Sequence, residues 1–257
     1  MAKYVLARKD KVTFQQFINV WNNIEQYITR EEATTLVKRA VASIREVCNG
    51  KRVGYAWSGG KDSIALQYII SQYQTDLPCV FCTSGDEGKD MLNFVECHQP
   101  SNLEVYRVPE MSVEMLRKHR ENLWFFNPKA NISFWYKFVR WNGQSVFEKK
   151  HGIEVMLFGR RTQDKNFCGG ADGQYIKDGV LRFNPIKDWK HEDVMAVIHY
   201  FMGDNLPPVY RDPNNLHMPE TLYWYEYKDA REAVSLFPEK KARMLEVFPE
   251  LSTIINQ

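Results

Sequence analysis

The stretch Tyr55-Ala56-Trp57-Ser58-Gly59-Gly60-Lys61-Asp62-Ser63-Ile64-Ala65-Leu66 decides the fold of this chain. It begins in the apolar run Val53 to Trp57, which is short enough for a buried strand. It ends in a helical pattern that places apolar residues on one face. The two glycines in between allow the backbone to turn tightly and to approach a ligand closely. The stretch therefore predicts a strand, a glycine turn and a helix start in direct succession.

The residues of this turn predict a phosphate site. The free N–H groups of a helix start and the positive end of its dipole favour an anion. Lys61 adds a full positive charge, and we expect Asp62 or Ser63 to cap the helix. The Walker A pattern fails, because Tyr55 stands where its first glycine belongs and Asp62 follows the lysine. The dinucleotide pattern G-x-G-x-x-G also fails, and the alternative is an ordinary strand–turn–helix corner with a surface lysine.

Bulk composition indicates a globular chain without an electrostatic signature. The chain has 257 residues, 44% of them apolar, and a formal net charge of +2. Nucleic acid stays possible as a partner, but this near-neutral charge does not indicate it. No apolar segment reaches the roughly 18 residues that a membrane helix needs, and the N-terminus lacks the apolar region of a signal peptide. Five widely spread cysteines fit free thiols, so we expect a cytoplasmic protein that does not bind membranes.

The order of predicted elements indicates an α/β fold. We expect an open, mostly parallel twisted sheet with helices on both faces, in three parts: an N-terminal helical extension (1–50), a nucleotide-binding α/β domain (51–205) and a C-terminal extension packed on the same domain (206–257). The predicted strands are 53–57, 77–83, 103–108 and 153–158, with a hairpin over 175–183. The predicted helices are two over 12–48, then 62–74, 88–97, 110–121, 132–150 and 191–202, and one or two over 226–246 split at Pro238.

Three strand ends supply candidate site residues, because open α/β sheets bind ligands at the carboxyl ends of their strands. The glycine turn follows the first strand. Thr83-Ser84-Gly85 follows the second and is expected to contact the ligand through its backbone groups. Gly159-Arg160-Arg161 follows the fourth and places two guanidinium groups near phosphates, unless they are a plain surface pair. Asp86 and Glu87 are candidate magnesium ligands or an acidic pair at a helix N-terminus.

Ser58-Gly59-Gly60-Lys61-Asp62-Ser63 resembles the PP-loop, S-G-G-x-D-S, of the adenine-nucleotide α-hydrolase superfamily. This resemblance implies that the loop grips the pyrophosphate of ATP and that the bond broken lies between the α- and β-phosphates. It also implies a Rossmann-like sheet.

A second run, Asn184-Pro185-Ile186-Lys187-Asp188-Trp189, is similar to the N-P-[IL]-x-D-W segment of the phosphoadenosine phosphosulfate (PAPS) reductase family. It makes Asp188 and Trp189 candidate nucleotide contacts. The segment Gly159 to Asp164 resembles the G-x-R-R-[DE] segment of the small subunit of sulfate adenylyltransferase, a member of the same broad family. The resemblance covers about residues 50–210.

The cysteines depart from the reductase pattern. Those reductases carry a catalytic cysteine in a C-terminal E-C-G-[IL]-H segment, whereas the last cysteine here is Cys168. The paired cysteines that hold an iron–sulfur cluster in adenylyl-sulfate reductases are also absent, so we expect no such cluster. Cys79 and Cys82 fit C-x-x-C, but residues three apart on a strand point to opposite faces. Cys168 is the one thiol near the inferred site, with a redox role or none.

These observations favour an ATP-using enzyme that adenylates an unknown acceptor oxygen and releases pyrophosphate. Ser58, Gly59, Gly60 and Ser63 are expected to hold phosphate oxygens, while Lys61, Arg160 and Arg161 act as catalytic cations, Asp62 caps the helix or orients magnesium, and Gly159 contacts the nucleotide. ATP with magnesium is the expected substrate complex. The alternatives are a thiol-dependent PAPS reductase and a nucleotide-binding component of a nucleic-acid modification system. A partner protein or a homo-oligomer is possible in each case.

Overall fold

A six-stranded sheet organises the part of the chain that the structure, a computed structural model, describes: residues 3–8, 11–83, 89–107, 141–203, 205–212 and 230–255. The strand order is β3-β2-β1-β4-β6-β5. All neighbouring pairs are parallel except β5 and β6, which form an antiparallel hairpin at one edge. The strands are β1 (Val53–Ala56), β2 (Cys79–Thr83), β3 (Leu103–Arg107), β4 (Val155–Leu157), β5 (Gln174–Lys177) and β6 (Val180–Phe183). This is the predicted open, mostly parallel α/β sheet.

Alternation along β2 shows why the sheet has two covered faces. Cys79 and Phe81 pack into one apolar cluster, and Val80 and Cys82 pack into the other. Successive side chains of a strand point to opposite faces, so an apolar run on both sides requires helices on both sides. The two cysteines of C-x-x-C therefore lie on opposite faces, as the spacing predicts.

Helices cover both faces of the sheet. The first cluster joins α1 (Phe14–Asn22), α2 (Arg30–Cys48), α3 (Lys61–Ser71), α4 (Lys89–His98) and α6 (His191–Phe201) to one face. The second joins α5 (Asn142–His151), α7 (Ala230–Leu236) and α8 (Lys241–Val247) to the other face, together with the segment that leads into α9 (Ser252–Ile255). Both flanking segments of the chain thus pack against the sheet. The division into three parts at residues 50 and 205 stays a prediction.

The N-terminal helices have clear local causes. The hydroxyls of Thr13 and Thr29 cap α1 and α2 by accepting hydrogen bonds from backbone N–H groups of the first turn. The side chains of Gln16 and Glu32 accept from the N–H groups of the two capping residues, which completes two capping boxes. Phe17 is fully buried in the first cluster. These helices lie where the sequence pattern predicts them.

The structure confirms most of the other predicted elements within a few residues. Among the described residues no helix is long and apolar enough to cross a membrane. The predicted helix 110–121, the first half of the predicted helix 132–150 and the start of the predicted C-terminal helices lie outside the described residues.

Candidate active site

The turn after β1 leaves the N-terminus of α3 open. Gly60 is the N-cap residue, and no side chain accepts a hydrogen bond from the first turn. The Ser63 hydroxyl instead donates to the Gly60 carbonyl at 2.8 Å and accepts from the Ser58 N–H at 3.1 Å. The prediction that Asp62 or Ser63 caps the helix is therefore wrong, because both residues lie inside the first turn. The N–H groups of this turn keep their capacity to bind an anion.

Two glycines permit the close packing of this turn. Gly59 has a positive φ of 70°, and a Cβ there would lie 2.4 Å from the Met91 side chain. Gly159, just after β4, approaches the first turn of α3. A Cβ on Gly159 would lie 2.8 Å from the carbonyl oxygen of Asp62. The loop after β4 and the start of α3 thus share one narrow space that only glycine fits.

A buried charge cluster stands behind this turn. The Lys61 ammonium donates to both carboxylate oxygens of Asp62, at 3.0 and 2.8 Å. The Asp62 carboxylate also lies 2.7 Å from Nε of Arg161. Lys61 is 2% exposed and Arg161 is fully buried. Asp62 thus lies between Lys61 and Arg161 in a chain of ion pairs, which fixes the direction of the Lys61 side chain.

Arg161 is bound on every side by the protein. Its guanidinium lies 2.8 Å from the Asp164 carboxylate and donates to the Trp189 carbonyl at 3.3 Å. It also lies 3.0 Å from Nδ1 of His191. Because a guanidinium only donates, this His191 nitrogen accepts, and in the neutral ring the proton sits on Nε2. Arg161 therefore joins the start of α3, the loop after β4 and the start of α6.

Burial and charge shift the pKa values of this cluster. Burial, and then the Arg161 charge, lower the pKa of Lys61 below its ordinary value. For Asp62 burial acts to raise the pKa, but the charges of Arg161 and Lys61 outweigh it, and the net pKa is lowered. Asp62 is thus a carboxylate at neutral pH.

A cavity of about 750 Å³ opens at the carboxyl ends of β1 and β4. This volume is ordinary for a site that holds a cofactor-sized molecule. The residues of the β1 turn that line it are Ser58, Gly60, Lys61, Asp62 and Ser63. On the other side stand Gly159, Arg160, Tyr175, Lys177 and Arg182. The cavity therefore joins the open helix start to several cations.

The two adjacent arginines have different surroundings. Arg160 lines the cavity, donates to the Tyr175 hydroxyl at 2.8 Å and lies over the Phe158 ring at 4.7 Å. Among the described residues no carboxylate pairs with Arg160. Arg161 points away into the charge cluster. The two arginines were predicted to act together, but only Arg160 lines the cavity, whereas Arg161 is held by the carboxylates of Asp62 and Asp164.

Four further residues that were predicted to contact the nucleotide do not line the cavity. Gly59 turns against Met91 rather than lining the cavity, and Thr83 is buried at the end of β2 outside it. Asp188 is exposed and pairs with Lys187 at 2.7 Å, while Trp189 packs into the first apolar cluster. Neither Asp188 nor Trp189, the predicted nucleotide contacts, lines the cavity, and their segment supplies packing and backbone acceptors. Ser84, Gly85, Asp86 and Glu87 lie outside the described residues.

The cysteines are placed unfavourably for catalysis. Cys168 is 4% exposed, and its Sγ lies 3.4 Å from the Asn166 carbonyl. Burial raises the pKa of the Cys168 thiol above its ordinary value. Cys82 is the cysteine that lines the cavity within the described chain, and it is buried on β2. The redox hypothesis for Cys168 therefore finds no accessible, low-pKa thiol here.

Several residues that line the cavity were not predicted from the sequence: Trp141, Gln144, Phe158, Lys165, Asn166, Phe167, Lys177 and Arg182. Arg182 is buried and forms a two-pronged ion pair with Glu148, which ties β6 to α5. The predicted hairpin at 175–183 could have indicated Lys177 and Arg182, because its strands follow the polar loop at the inferred site. The rest depend on contacts between distant parts of the chain.

The described carboxylates do not form a metal centre. No group of three or more histidine, cysteine, aspartate or glutamate side chains comes together in the described ranges. Asp62 and Asp164 are both bound to Arg161. The residues present here thus do not fit a resident ion, and the candidate ligands Asp86 and Glu87 lie outside the description.

Residues 52–209 match the family model of the phosphoadenosine phosphosulfate reductase domain. The match spans more than half of the 257 residues and contains the glycine turn, the arginine pair and the hairpin. The chain belongs to the PAPS reductase domain family. Its S-G-G-K-D-S turn is the PP-loop of this family, and we use that name below.

Individual relatives are distant. A PAPS reductase of Vibrio vulnificus (strain CMCP6) is 23% identical over 154 residues, which cover 58% of this chain and 56% of that protein. The chain thus spans little more than half the length of the curated relatives it matches. Among solved structures, a PAPS reductase from Candida auris has a TM-score of 0.48 at 17% identity, covering 67% of this chain and 86% of that one. An FMN adenylyltransferase from Candida glabrata in complex with ATP has a TM-score of 0.43 at 15% identity, covering 73% and 63%.

Proposed function

We propose that this chain binds ATP at the PP-loop and splits it between the α- and β-phosphates, adenylating an acceptor and releasing pyrophosphate. One observation carries the proposal. The uncapped N-terminus of α3, with Lys61 beside it, opens directly into a cavity whose opposite wall holds Arg160. A helix start and two cations that face one space suit a chain of phosphates better than a single anion.

The PP-loop holds the leaving pyrophosphate. Ser58 and the residues of the first turn of α3 line the cavity. In this proposal their N–H and hydroxyl groups bind the β- and γ-phosphate oxygens. Ser63 supports this arrangement from below, since its hydroxyl ties Ser58 to Gly60. The loop is therefore preorganised for phosphate, so its donors need little rearrangement when the ligand binds.

The cations have separate tasks. Lys61 neutralises the charge that grows on the leaving pyrophosphate, while Arg160 binds the α-phosphate from the other side. Asp62 directs Lys61, and Arg161 acts as a positioning residue, because it holds Asp62 without reaching the cavity. Approach of a phosphate adds negative charge next to Lys61 and returns its lowered pKa toward the ordinary value.

The reaction is a displacement at phosphorus. An acceptor oxygen forms a bond to the α-phosphorus, and the bond from that phosphorus to the oxygen bridging to the β-phosphate breaks. Pyrophosphate leaves with that oxygen and the electron pair. Such a site works by positioning and by charge stabilisation, and it requires no nucleophile from the protein. Because the described carboxylates do not form a metal site, we assign no step to magnesium, which would enter with ATP and screen its phosphates.

The alternative activity is thiol-dependent reduction of PAPS. The family model and the Vibrio relatives favour it by name. It needs a nucleophilic thiol at the sulfonucleotide, whereas Cys168 is buried with a raised pKa. Adenylyl transfer uses the groups that do line the cavity, so it is the function that the geometry supports best.

Product analysis separates the two activities. The protein is incubated with magnesium and ATP plus carboxylate or phosphate acceptors, or with PAPS plus dithiothreitol, and pyrophosphate and sulfite are measured. We expect pyrophosphate from ATP, lost in Lys61→Ala and retained in Lys38→Ala, an exposed lysine on α2. Sulfite from PAPS without pyrophosphate from ATP would overturn the proposal.

A further inference from the structure

The far side of the cavity carries an aromatic, cationic surface that phosphate binding does not explain. We call it the aromatic wall and define it as Trp141, Arg160, Phe167, Tyr175 and Lys177. All five residues line the cavity. They come from the start of α5, the loops after β4 and the edge strand β5.

Contacts within the wall hold its rings and cations in a fixed arrangement. Tyr175 receives a hydrogen bond from Arg160 at 2.8 Å, and its ring meets that of Phe167 at a centroid distance of 4.9 Å. The Lys177 ammonium lies 3.1 Å from the centre of the Trp141 ring. Tyr175 and Lys177 lie two positions apart on β5, so both side chains point to the same face of the hairpin. The result is an ordered set of alternating rings and cations.

The wall exposes apolar surface that folding alone would hide. Phe167 is 67% exposed at the mouth of the cavity, and Ile176, between Tyr175 and Lys177 on β5, is 76% exposed. Exposed apolar residues that cluster at the mouth of a cavity mark a binding site. The cations beside them disfavour a purely apolar occupant, because removing water from Arg160 and Lys177 without supplying an anion costs free energy.

The position of the wall separates it from the PP-loop. In the strand order, β2 lies on one side of β1, and β4, β6 and β5 lie on the other. The PP-loop therefore sits between the end of β2 and the wall. Arg160, which follows β4, is the residue that the wall and the phosphate side share. A molecule on the wall thus meets the α-phosphate at Arg160.

We propose that the aromatic wall is the acceptor site and that it takes a small planar aromatic molecule carrying an oxyanion. This inference rests on the proposed function and names its substrate class. The ring of the acceptor stacks on Phe167 and Tyr175, and its phosphate or carboxylate lies between Arg160 and Lys177. One oxygen of that oxyanion forms the bond to the α-phosphorus of ATP, and pyrophosphate leaves with the bridging oxygen and its electron pair. No proton has to be removed, because the attacking oxygen is already charged.

Binding of fluorescent probes in the absence of ATP tests the wall by itself. The probes are 1-naphthyl phosphate and FMN, and their uncharged counterparts are 1-naphthol and riboflavin. We expect both phosphates to bind, and the counterparts to bind at least about tenfold more weakly, because they lose charge-assisted contacts. Phe167→Leu should lower the affinity for both phosphate probes by about tenfold. Phe167→Tyr keeps the aromatic ring and should keep the affinity. Phe167 is exposed, so neither change threatens folding.

Three results would overturn the inference. The first is the absence of binding by both phosphates, including the case in which an eight-residue oligothymidine binds instead. The second is an equal probe affinity in the wild type and in Phe167→Leu. The third is displacement of the probe by AMP, which would show that the wall holds adenine. Probe binding without pyrophosphate release from ATP would support the aromatic wall as a binding site but refute the proposed function. The failure of the inference and the failure of the proposed function therefore give different results.

Discussion

Replacing Arg161 by methionine tests the buried charge cluster, and the structure sets the expected size of the effect. Arg161 has no exposed surface, and the Asp164 side chain is 6% exposed, so this pair is largely buried. Removing one partner of a buried ion pair costs about 3–5 kcal/mol, because the other charge is left without compensation. Asp62 is 25% exposed and keeps Lys61, which places the cost near the lower end. We therefore expect a loss of about 3 kcal/mol in the free energy of unfolding.

The neighbouring arginine provides the control. In a chain of this size each kcal/mol lowers the melting midpoint by roughly 2–4 °C, so Arg161→Met should melt roughly 6–12 °C below the wild type. Arg160→Met should melt within a few degrees of the wild type, since Arg160 donates to a neutral hydroxyl and loses about 1 kcal/mol. Adding Asp164→Asn to Arg161→Met should recover part of the loss. Equal melting midpoints for the two single variants, measured by circular dichroism, would show that the Arg161 ion pairs do not stabilise the fold.

Three shorter predictions follow from the same geometry. Gly159→Ala should weaken ATP binding in calorimetric titration, because the added Cβ lies 2.8 Å from the Asp62 carbonyl and pushes the loop after β4 off α3; unchanged affinity would contradict that contact. Cys97 is exposed and the other four cysteines are buried, so a disulfide reagent should titrate one thiol in the native protein and none in Cys97→Ser. Hydrogen bonding, first from Lys3, lowers the pKa of Glu32 to about 2 from 4.5. A lowered folded-state pKa stabilises above the ordinary value, so the stability advantage of wild type over Glu32→Gln should shrink as pH falls from about 4.5 to about 2 and stay constant at higher pH.

Local signals were enough to predict the strand–turn–helix corner and the sheet, and the resemblance to S-G-G-x-D-S identified the corner as a PP-loop. Ser58 to Ser63 combine glycine, hydroxyl and lysine in a spacing that only a strand–turn–helix corner accommodates, and the structure shows that corner. The β-α alternation predicts parallel strands because each crossover needs a helix. Asp178-Gly179 predicts the hairpin because aspartate and glycine tolerate the positive φ values of a tight hairpin turn. The structure shows those values, 53° and 79°.

The rest of the site depends on long-range contacts that no local pattern contains. Arg160 and Arg161 look alike in the sequence, and they differ because Asp62 and Asp164 surround only the second. Trp189 belongs to a family motif, yet it packs into the core. Phe167 reaches the cavity because the loop that carries it folds against β5. In each case the place of the side chain follows from the packing around it, which the residue type alone does not reveal.

Thermal melting against two nucleotides tests the central claim most directly. The protein is heated with magnesium and saturating ATP or PAPS, alongside Lys61→Ala. A ligand at about 100 times its dissociation constant adds roughly 2.7 kcal/mol, which raises the midpoint by roughly 5–10 °C in a chain of this size. We expect this rise with ATP, its loss in Lys61→Ala, and a smaller rise with PAPS. A rise with PAPS and none with ATP would contradict it.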